Sequence, residues 1–354
     1  MNYLVPALIS FILAVLLVPV IKKFAFRVGA VDKKPGKNSR KIHTKTMARG
    51  GGIAIYLAFV ITTLIFLPEH NLSYWGLIVA STIVLVVGFI DDIKPLNPWM
   101  KLSAQIVAAI SAYCFFGIRI EAISNPAGQA ILFTDPNLVL NVLNYSVQIN
   151  VLGLLLTSVW LVGMTNTMNF VDGIDGLSGG IAAIASIIMF FLALNPDVSQ
   201  PHTALISIVL FGGCVGYLIY NFHPAKIFNG DSGAYFLGMS LGIIAIFSGA
   251  KLATAALVLG VPIIDAVWSA IRRILAGKSP FTADRGHLHF LLLDVGFSQK
   301  QAALLIYAIC IVFGVIALVA SPEQKIIAIF GLILIILLLL ILLSNLIKNK
   351  RGNS

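Results

Sequence analysis

The chain has 354 residues, of which 59% are hydrophobic and only 11% charged, and it carries a formal net charge of +10. A water-soluble protein of this length needs far more polar surface, so the fold expected is all-α and polytopic in a membrane. The positive charge argues for no nucleic-acid partner, because its placement along the chain has a topological explanation.

A helix needs about 20 mostly apolar residues to cross a bilayer core of roughly 30 Å. Eleven stretches reach or approach that length: about 3–21, 50–67, 73–90, 102–118, 149–165, 177–194, 203–222, 233–250, 252–271, 301–320 and 326–347. Residues 1–354 therefore read as one integral membrane domain with about 11 transmembrane helices. The first run lacks a basic start, contains Pro6 and Pro19, and is followed by Lys22, Lys23 and Arg27 where a cleavable signal would have small residues. It reads as a retained helix with its N-terminus outside. With that orientation, 21 of the 24 lysines and arginines fall on the cytoplasmic side, and only Arg119, Lys251 and Lys325 on the other. This asymmetry is the positive-inside pattern, and it puts the C-terminus in the cytoplasm.

The connections differ in character. The basic stretch 22–52 is too polar to cross and too broken by Pro and Gly for one long helix. It is expected to lie on the inner membrane surface or to share in binding phosphates. The outer connection, about 119–148, has short alternating runs with Asn-Pro and Asp-Pro breaks and suggests a small hairpin or an interfacial segment. No internal repeat is evident, which weakens a reading as an inverted-repeat transporter. Cys114, Cys214 and Cys310 each fall within a predicted span and have no metal-ligand spacing, so they read as small core residues.

Nine of the fourteen acidic residues fall on or near the cytoplasmic face: Asp32, Asp91, Asp92, Asp172, Asp175, Asp231, Asp265, Asp284 and Asp294. Four clusters there stand out: "DDIKPLNPWMK" (91–101), "NTMNFVDGIDGLSGG" (166–180), "FNGDSGAYFLG" (228–238) and "KSPFTADRGHLHF" (278–290). Acids at a membrane boundary are costly and usually functional. Carboxylates mixed with amides and glycines suit a hard cation, Mg²⁺ or Mn²⁺, and through it a phosphate. Glycine lets the backbone approach such a ligand and present N–H groups to it.

Plainer roles compete. Asp172, Asp175 and Asp231 are good N-cap residues for the helices that follow them. Adjacent Asp91 and Asp92 point about 100° apart on a helix, so they serve different partners, one of them Lys94 or Lys101. His287 and His289 make a poor zinc pair with no cysteine near. Asp265, seven residues before Arg272, is a candidate for pairing inside the bundle.

Taken together, the ordered set resembles the polyprenyl-phosphate N-acetylhexosamine-1-phosphate transferases. The branch it looks most like is bacterial and moves GlcNAc-1-phosphate from UDP-GlcNAc onto undecaprenyl phosphate. The resemblance rests on Asp91-Asp92 with Lys101, on Asn166, Asn169, Asp172 and Asp175, on Asn229 to Gly233, and on "DAVWSAIRRILAGKSPFTADRGHLHF". One departure is Phe290, where the family's loop commonly has a further histidine.

The resemblance implies an enzyme of the bacterial cytoplasmic membrane, its active site facing the cytoplasm, that makes undecaprenyl-diphospho-GlcNAc and UMP. This would be the first membrane step of teichoic acid, O-antigen or a similar envelope glycan. It implies Mg²⁺ (or Mn²⁺) on Asp231 and Asn169, and a catalytic group made of Asp91, Asp92, Asp231 and Lys101. Substrate would be bound by Asn166, Asn169, Asp172, Asp175, Arg285, His287 and His289, the last three clamping the sugar-linked phosphate or the sugar. UDP-GlcNAc and undecaprenyl phosphate are the partners implied, and a homodimer is a further expectation. The alternatives are another UDP-N-acetylhexosamine donor and, in a different class, a cation-coupled transporter, which would place its acids at mid-span.

Overall fold

The computed structural model describes residues 2–33, 45–67, 71–123, 131–142, 145–248, 252–277 and 286–352. The described chain is overwhelmingly helical: α1 (Leu4–Val28), α2 (Gly51–Phe66), α3 (Leu72–Ile93), α4 (Pro98–Phe116), α5 (Val151–Val171), α6 (Leu177–Leu194), α7 (Pro201–Asn221), α8 (Gly230–Phe247), α9 (Leu252–Val258), α10 (Gly260–Leu275), α11 (Leu288–Val295), α12 (Gln299–Val319) and α13 (Pro322–Gly352). Local signals set many boundaries. Asn71, Asn97 and Asn150 cap α3, α4 and α5 through their side chains, and Ser298 with Gln301 forms a capping box on α12.

Every one of the eleven apolar stretches is helical, but they are not equivalent as spans. Among the described residues, nine helices are long and apolar enough to cross a membrane, or ten if α9 and α10, bent by 80° at their junction, form one broken span. The remaining stretch, α2, has 16 residues, which at about 1.5 Å rise per residue falls short of the hydrocarbon thickness. Exposed leucines, isoleucines and valines along α1, α12 and α13, such as Leu16, Val319 and Ile327, fit a lipid-facing surface. The protein is thus a multi-pass membrane protein.

The connection between α4 and α5 holds two antiparallel hairpins, β3 (Ala122–Ile123) with β4 (Ile131–Leu132) and β5 (Leu138–Val142) with β6 (Tyr145–Ile149). In the basic stretch, β1 (Val31–Asp32) pairs with β2 (Met47–Ala48).

Helix α8 is the hub, and every residue from Ser232 to Ile246 is buried. It packs on α2, α3 and α5, and glycine permits each approach. A Cβ on Gly52, Gly88 or Gly238 would overlap Gly233, the Asp231–Ser232 backbone, or the Met164–Thr165 backbone respectively. Bilayer helices associate through such small residues, because burying apolar surface gives no net gain against lipid. The packing brings the start of α8 against the end of α3 and the start of α2.

Candidate active site

The start of α8 is stitched to the segment before α2 by backbone bonds. Phe228 N–H donates to Ala48 O at 2.9 Å, Gly51 N–H to Phe228 O at 2.9 Å, and Gly52 N–H to Asn229 O at 3.2 Å. From the other side, Asp92 at the end of α3 caps α8. Its Oδ1 accepts Asp231 N–H at 2.9 Å, and its Oδ2 accepts Ser232 N–H at 3.2 Å and Ser232 Oγ–H at 2.7 Å. The cap of α8 is therefore a carboxylate from another helix, and Asp231 is left to face outward from the first turn. A Cβ on Gly230, whose φ is +79°, would collide with the Asp92 carboxylate.

Asp91 has a separate role, as the angle between neighbouring helical residues requires. Its Oδ1 accepts Leu96 N–H at 2.7 Å and lies 3.3 Å from Lys101 Nζ. Lys101, in the first turn of α4, also reaches Asp231 Oδ2 at 3.2 Å, an oxygen that Tyr235 Oη–H approaches at 3.3 Å. Lys101 thus bridges Asp91 and Asp231.

An open cavity of about 630 Å³ lies in front of this group. Asn169, Asp172, Asp175 and Asp231 all line it, so two motifs about sixty residues apart in the sequence share one wall. The α5–α6 loop is held at several points. Asp172 Oδ1 accepts the Ser178 hydroxyl. Asp175 N–H donates to Gln299 Oε1 at 3.1 Å, Gly176 N–H to Asn221 Oδ1 at 3.1 Å, and the Tyr307 hydroxyl to Gly176 O. Asp175 Oδ2 lies 2.7 Å from His223 Nδ1 and accepts Ala225 N–H at 3.0 Å. Neither Asp172 nor Asp175 is the N-cap of α6, which is Gly176.

Charge dominates the wall. Among the described residues lining it, Asp32, Asp172, Asp175 and Asp231 oppose Lys45, Arg49 and the titratable His223. Burial pushes the Asp172 carboxyl up to about 7; the Ser178 hydrogen bond and Arg49 oppose the rise, and the charge of Asp231 adds to it. Burial works against the charge of Arg49, but Asp32, Asp92 and Asp231 outweigh it and raise its pKa.

Other expected site residues lie elsewhere. Asn166 is turned between helices, donating to Gln105 Oε1 at 2.6 Å and Val162 O at 2.8 Å. His287 and His289 are buried, with their rings stacked 5.8 Å apart. His287 Nδ1 lies 2.8 Å from Asp265 Oδ2, and Asp265 Oδ1 accepts Leu288 N–H at 2.8 Å, so Asp265 anchors the start of α11. His289 sits directly beneath Gly173, where a Cβ would collide with its ring. Burial pushes the His289 pKa down to about 4, against a weaker opposing pull from Asp265. His289 therefore supports the α5–α6 loop from below, and neither histidine is among the described residues that line the cavity. Phe290, the departure from the histidine pattern, does line the cavity. Arg285 and Asp284 lie outside the described residues.

Sequence reasoning did not single out Arg49, His223, Gln299 or Tyr307. Arg49 was one of ten basic residues in its stretch, and the last two sit in otherwise unremarkable helix sequence. Ser178 and Ser232 were inside the quoted motifs but carried no assigned role.

A metal fits the wall in one specific way. Among the described residues no three His, Cys, Asp or Glu side chains converge as a cage. Mg²⁺ does not need one, since it is commonly held by one or two carboxylates with water and substrate phosphates. Asp231, Asp172 and the Asn169 amide offer hard oxygen donors on one wall, the kind of set such a cation takes. The set lacks the thiolate and imidazole donors that zinc prefers.

Comparison with known proteins identifies the family. Residues 74–249 match the model of glycosyl transferase family 4. The chain is 30% identical over 336 residues to a probable undecaprenyl-phosphate N-acetylglucosaminyl 1-phosphate transferase of Bacillus subtilis, covering 93% of this chain and 88% of that protein. It is 31% identical to a decaprenyl-phosphate N-acetylglucosaminephosphotransferase of Mycolicibacterium smegmatis, over 81% of this chain and 74% of that one. It is also 29% identical to a phospho-N-acetylmuramoyl-pentapeptide-transferase of Anoxybacillus flavithermus, over 88% and 94%. With two of its acid motifs on one cavity and this similarity along nearly its whole length, the chain belongs to glycosyl transferase family 4.

Proposed function

We propose that this membrane protein transfers GlcNAc-1-phosphate from UDP-GlcNAc to undecaprenyl phosphate, giving undecaprenyl-diphospho-GlcNAc and UMP. The observation that carries the reading is the convergence of Asn169, Asp172, Asp175 and Asp231 on one cavity, with Lys101 bound behind them between Asp91 and Asp231. The activities for which the Bacillus and Mycolicibacterium relatives are named support it and favour a polyprenyl-phosphate acceptor. The lysine and arginine asymmetry supports an N-out, C-in orientation, with the cavity facing the cytoplasm of a bacterial inner membrane. The product would begin an envelope glycan such as teichoic acid or O-antigen.

In this reading a phosphate oxygen of the lipid attacks the β-phosphorus of the donor. The bond from that phosphorus to the bridging oxygen breaks, and its electron pair leaves on UMP. The second pKa of a phosphomonoester is about 6, so the acceptor is already largely dianionic at neutral pH and needs no general base. Lys101 holds the acceptor phosphate. Asp91 orients Lys101, and Asp92 fixes the start of α8 and with it Asp231. Asp172 and Asp175 orient the nucleotide end of the donor. A bound Mg²⁺, held by Asp231 and Asn169 with Asp172 beside them, supplies charge neutralisation on the pyrophosphate. His287 and His289 act through the loop they support.

The test is a donor panel. Purified protein with undecaprenyl phosphate and Mg²⁺ should release UMP from UDP-GlcNAc faster than from UDP-GalNAc or UDP-MurNAc-pentapeptide. Preference for another UDP-N-acetylhexosamine would keep the chemistry and change the donor. No UMP from any of them would remove the transferase reading.

A further inference from the structure

Arg49 lies upstream of the residues matched by the family model and outside the four acid clusters, yet it is built into the same site. Its backbone N–H donates to Ala30 O at 2.9 Å, and Ala48 before it and Gly51 and Gly52 after it bond to Phe228 and Asn229, just before Asp231. Its guanidinium lines the cavity, 3.2 Å from Asp32 and 3.9 Å from Asp92.

These two contacts are unequal. The one to Asp32 is a close hydrogen-bonded pair. The one to Asp92 is long, and Asp92 already accepts three hydrogen bonds from the first turn of α8. Asp92 therefore does not depend on Arg49 for its partners, and a guanidinium with five N–H donors keeps bonding capacity toward the cavity. Lys45, the other basic residue on the described wall, is exposed, whereas Arg49 is partly buried. Anchoring by Asp32 and by the backbone pre-orders Arg49, which lowers the entropy lost when it takes a ligand. A planar fork of donors matches phosphate oxygens.

We propose that Arg49 is a substrate-binding residue that takes the diphosphate of the donor in the cavity. This rests on the reading of the chain as a UDP-sugar-dependent transferase. On binding, Arg49 keeps Asp32 and turns its remaining N–H groups from the long Asp92 contact to a phosphate oxygen. It stabilises the charged middle of the donor, while the uridine is held by other residues.

The experiment compares inhibition of UMP release by UDP and by uridine, at fixed Mg²⁺, in the full-length protein and its Arg49→Gln and Arg49→Lys variants. Arg49→Gln should weaken inhibition by UDP and raise the KM for UDP-GlcNAc by about tenfold or more, the loss expected for one charge-assisted contact. Inhibition by uridine should stay within about twofold, since uridine offers no phosphate to the guanidinium. Arg49→Lys should recover part of the loss by restoring charge without the fork. Equal weakening of both inhibitors, no change in either, or a rise confined to the KM for undecaprenyl phosphate would overturn the assignment. If Arg49→Gln does not fold, Arg49→Lys carries the same UDP-against-uridine comparison. If the wild-type protein releases no UMP, the transferase reading fails separately, and direct titration of UDP and uridine into wild type and Arg49→Lys still decides the role of Arg49.

Discussion

Asp92 Oδ1 accepts the backbone N–H of Asp231 at 2.9 Å, so the first acid motif holds the third in place across 139 residues of sequence. Asp92 serves geometry and Asp231 lines the cavity. Replacing Asp92 by Ala leaves the first N–H groups of a buried helix without acceptors, a loss of about 1–3 kcal/mol for each buried group left unpaired. Asp92→Ala should therefore lower the thermal midpoint in detergent as well as turnover. Asp91→Ala, whose partners Leu96 N–H and Lys101 are nearer solvent, should cost less stability. Equal midpoints for the two variants would contradict this division of labour.

Asp231→Asn should leave the fold intact and reduce kcat by about 10²-fold or more, given the several kcal/mol a metal-held phosphate contributes. Near-normal turnover at saturating Mg²⁺ would take Asp231 out of the metal site.

Asp172 gives a pH signature. Burial holds its native pKa at about 7, above the ordinary 3.8, so between those values the native protein binds a proton that the unfolded chain has released. Its contribution to ligand-free stability is full below about 4, declines as pH rises toward 7, and is flat above. Asp172→Asn should make that decline shallower in a midpoint-against-pH series without Mg²⁺. An unchanged slope in the variant would assign it to other groups.

His289 is neutral across the working range, because burial holds its pKa at about 4. His289→Ala should cost about 2–4 kcal/mol of stability as a large-to-small change beneath Gly173, and it should lower turnover through the loop. The shape of the pH–rate profile between pH 5 and 8 should not change. A limb near pH 6–7 that disappears in the variant would make His289 a proton carrier and sink the supporting role.

Much of this site was legible in the sequence because its chemistry is rare in its setting. Acids such as Asp172 and Asp231 beside apolar spans have few bland explanations, and their motifs do meet at one cavity. What stayed hidden was which member of each motif faces the ligand. Asp91 and Asp92 are chemically identical in sequence, and only the packing of α3 on α8 separates a lysine partner from a helix cap. The histidines of the last motif looked like ligand groups, but Asp265 and Gly173 seat them under the loop, and no periodicity encodes that. Gln299 and Tyr307 gave no signal, since their partners are backbone groups of the α5–α6 loop. About eleven spans are expected from apolar length, and among the described residues nine helices, or ten with α9 and α10 joined, reach span length, because α2 has 16 residues and α9 and α10 bend by 80° at their junction.

No covalent intermediate is expected, because the lipid phosphate is the better nucleophile and the described carboxylates are held by Lys101, Ser178, His223 or the start of α8. Stoichiometric lipid-free enzyme with UDP-GlcNAc and Mg²⁺ should give no burst of UMP. A burst equal to the enzyme concentration and lost in Asp91→Asn would establish an aspartyl intermediate.

In the proposed reaction the bond broken lies between the two phosphates of the donor. UDP-GlcNAc labelled at the β-phosphorus and, separately, in the sugar decides it in one measurement with undecaprenyl phosphate and Mg²⁺. Both labels should enter the lipid phase in equal amounts, with unlabelled UMP in the water phase. Sugar label in the lipid with the β-phosphorus left behind as UDP would show glycosyl transfer and contradict the account.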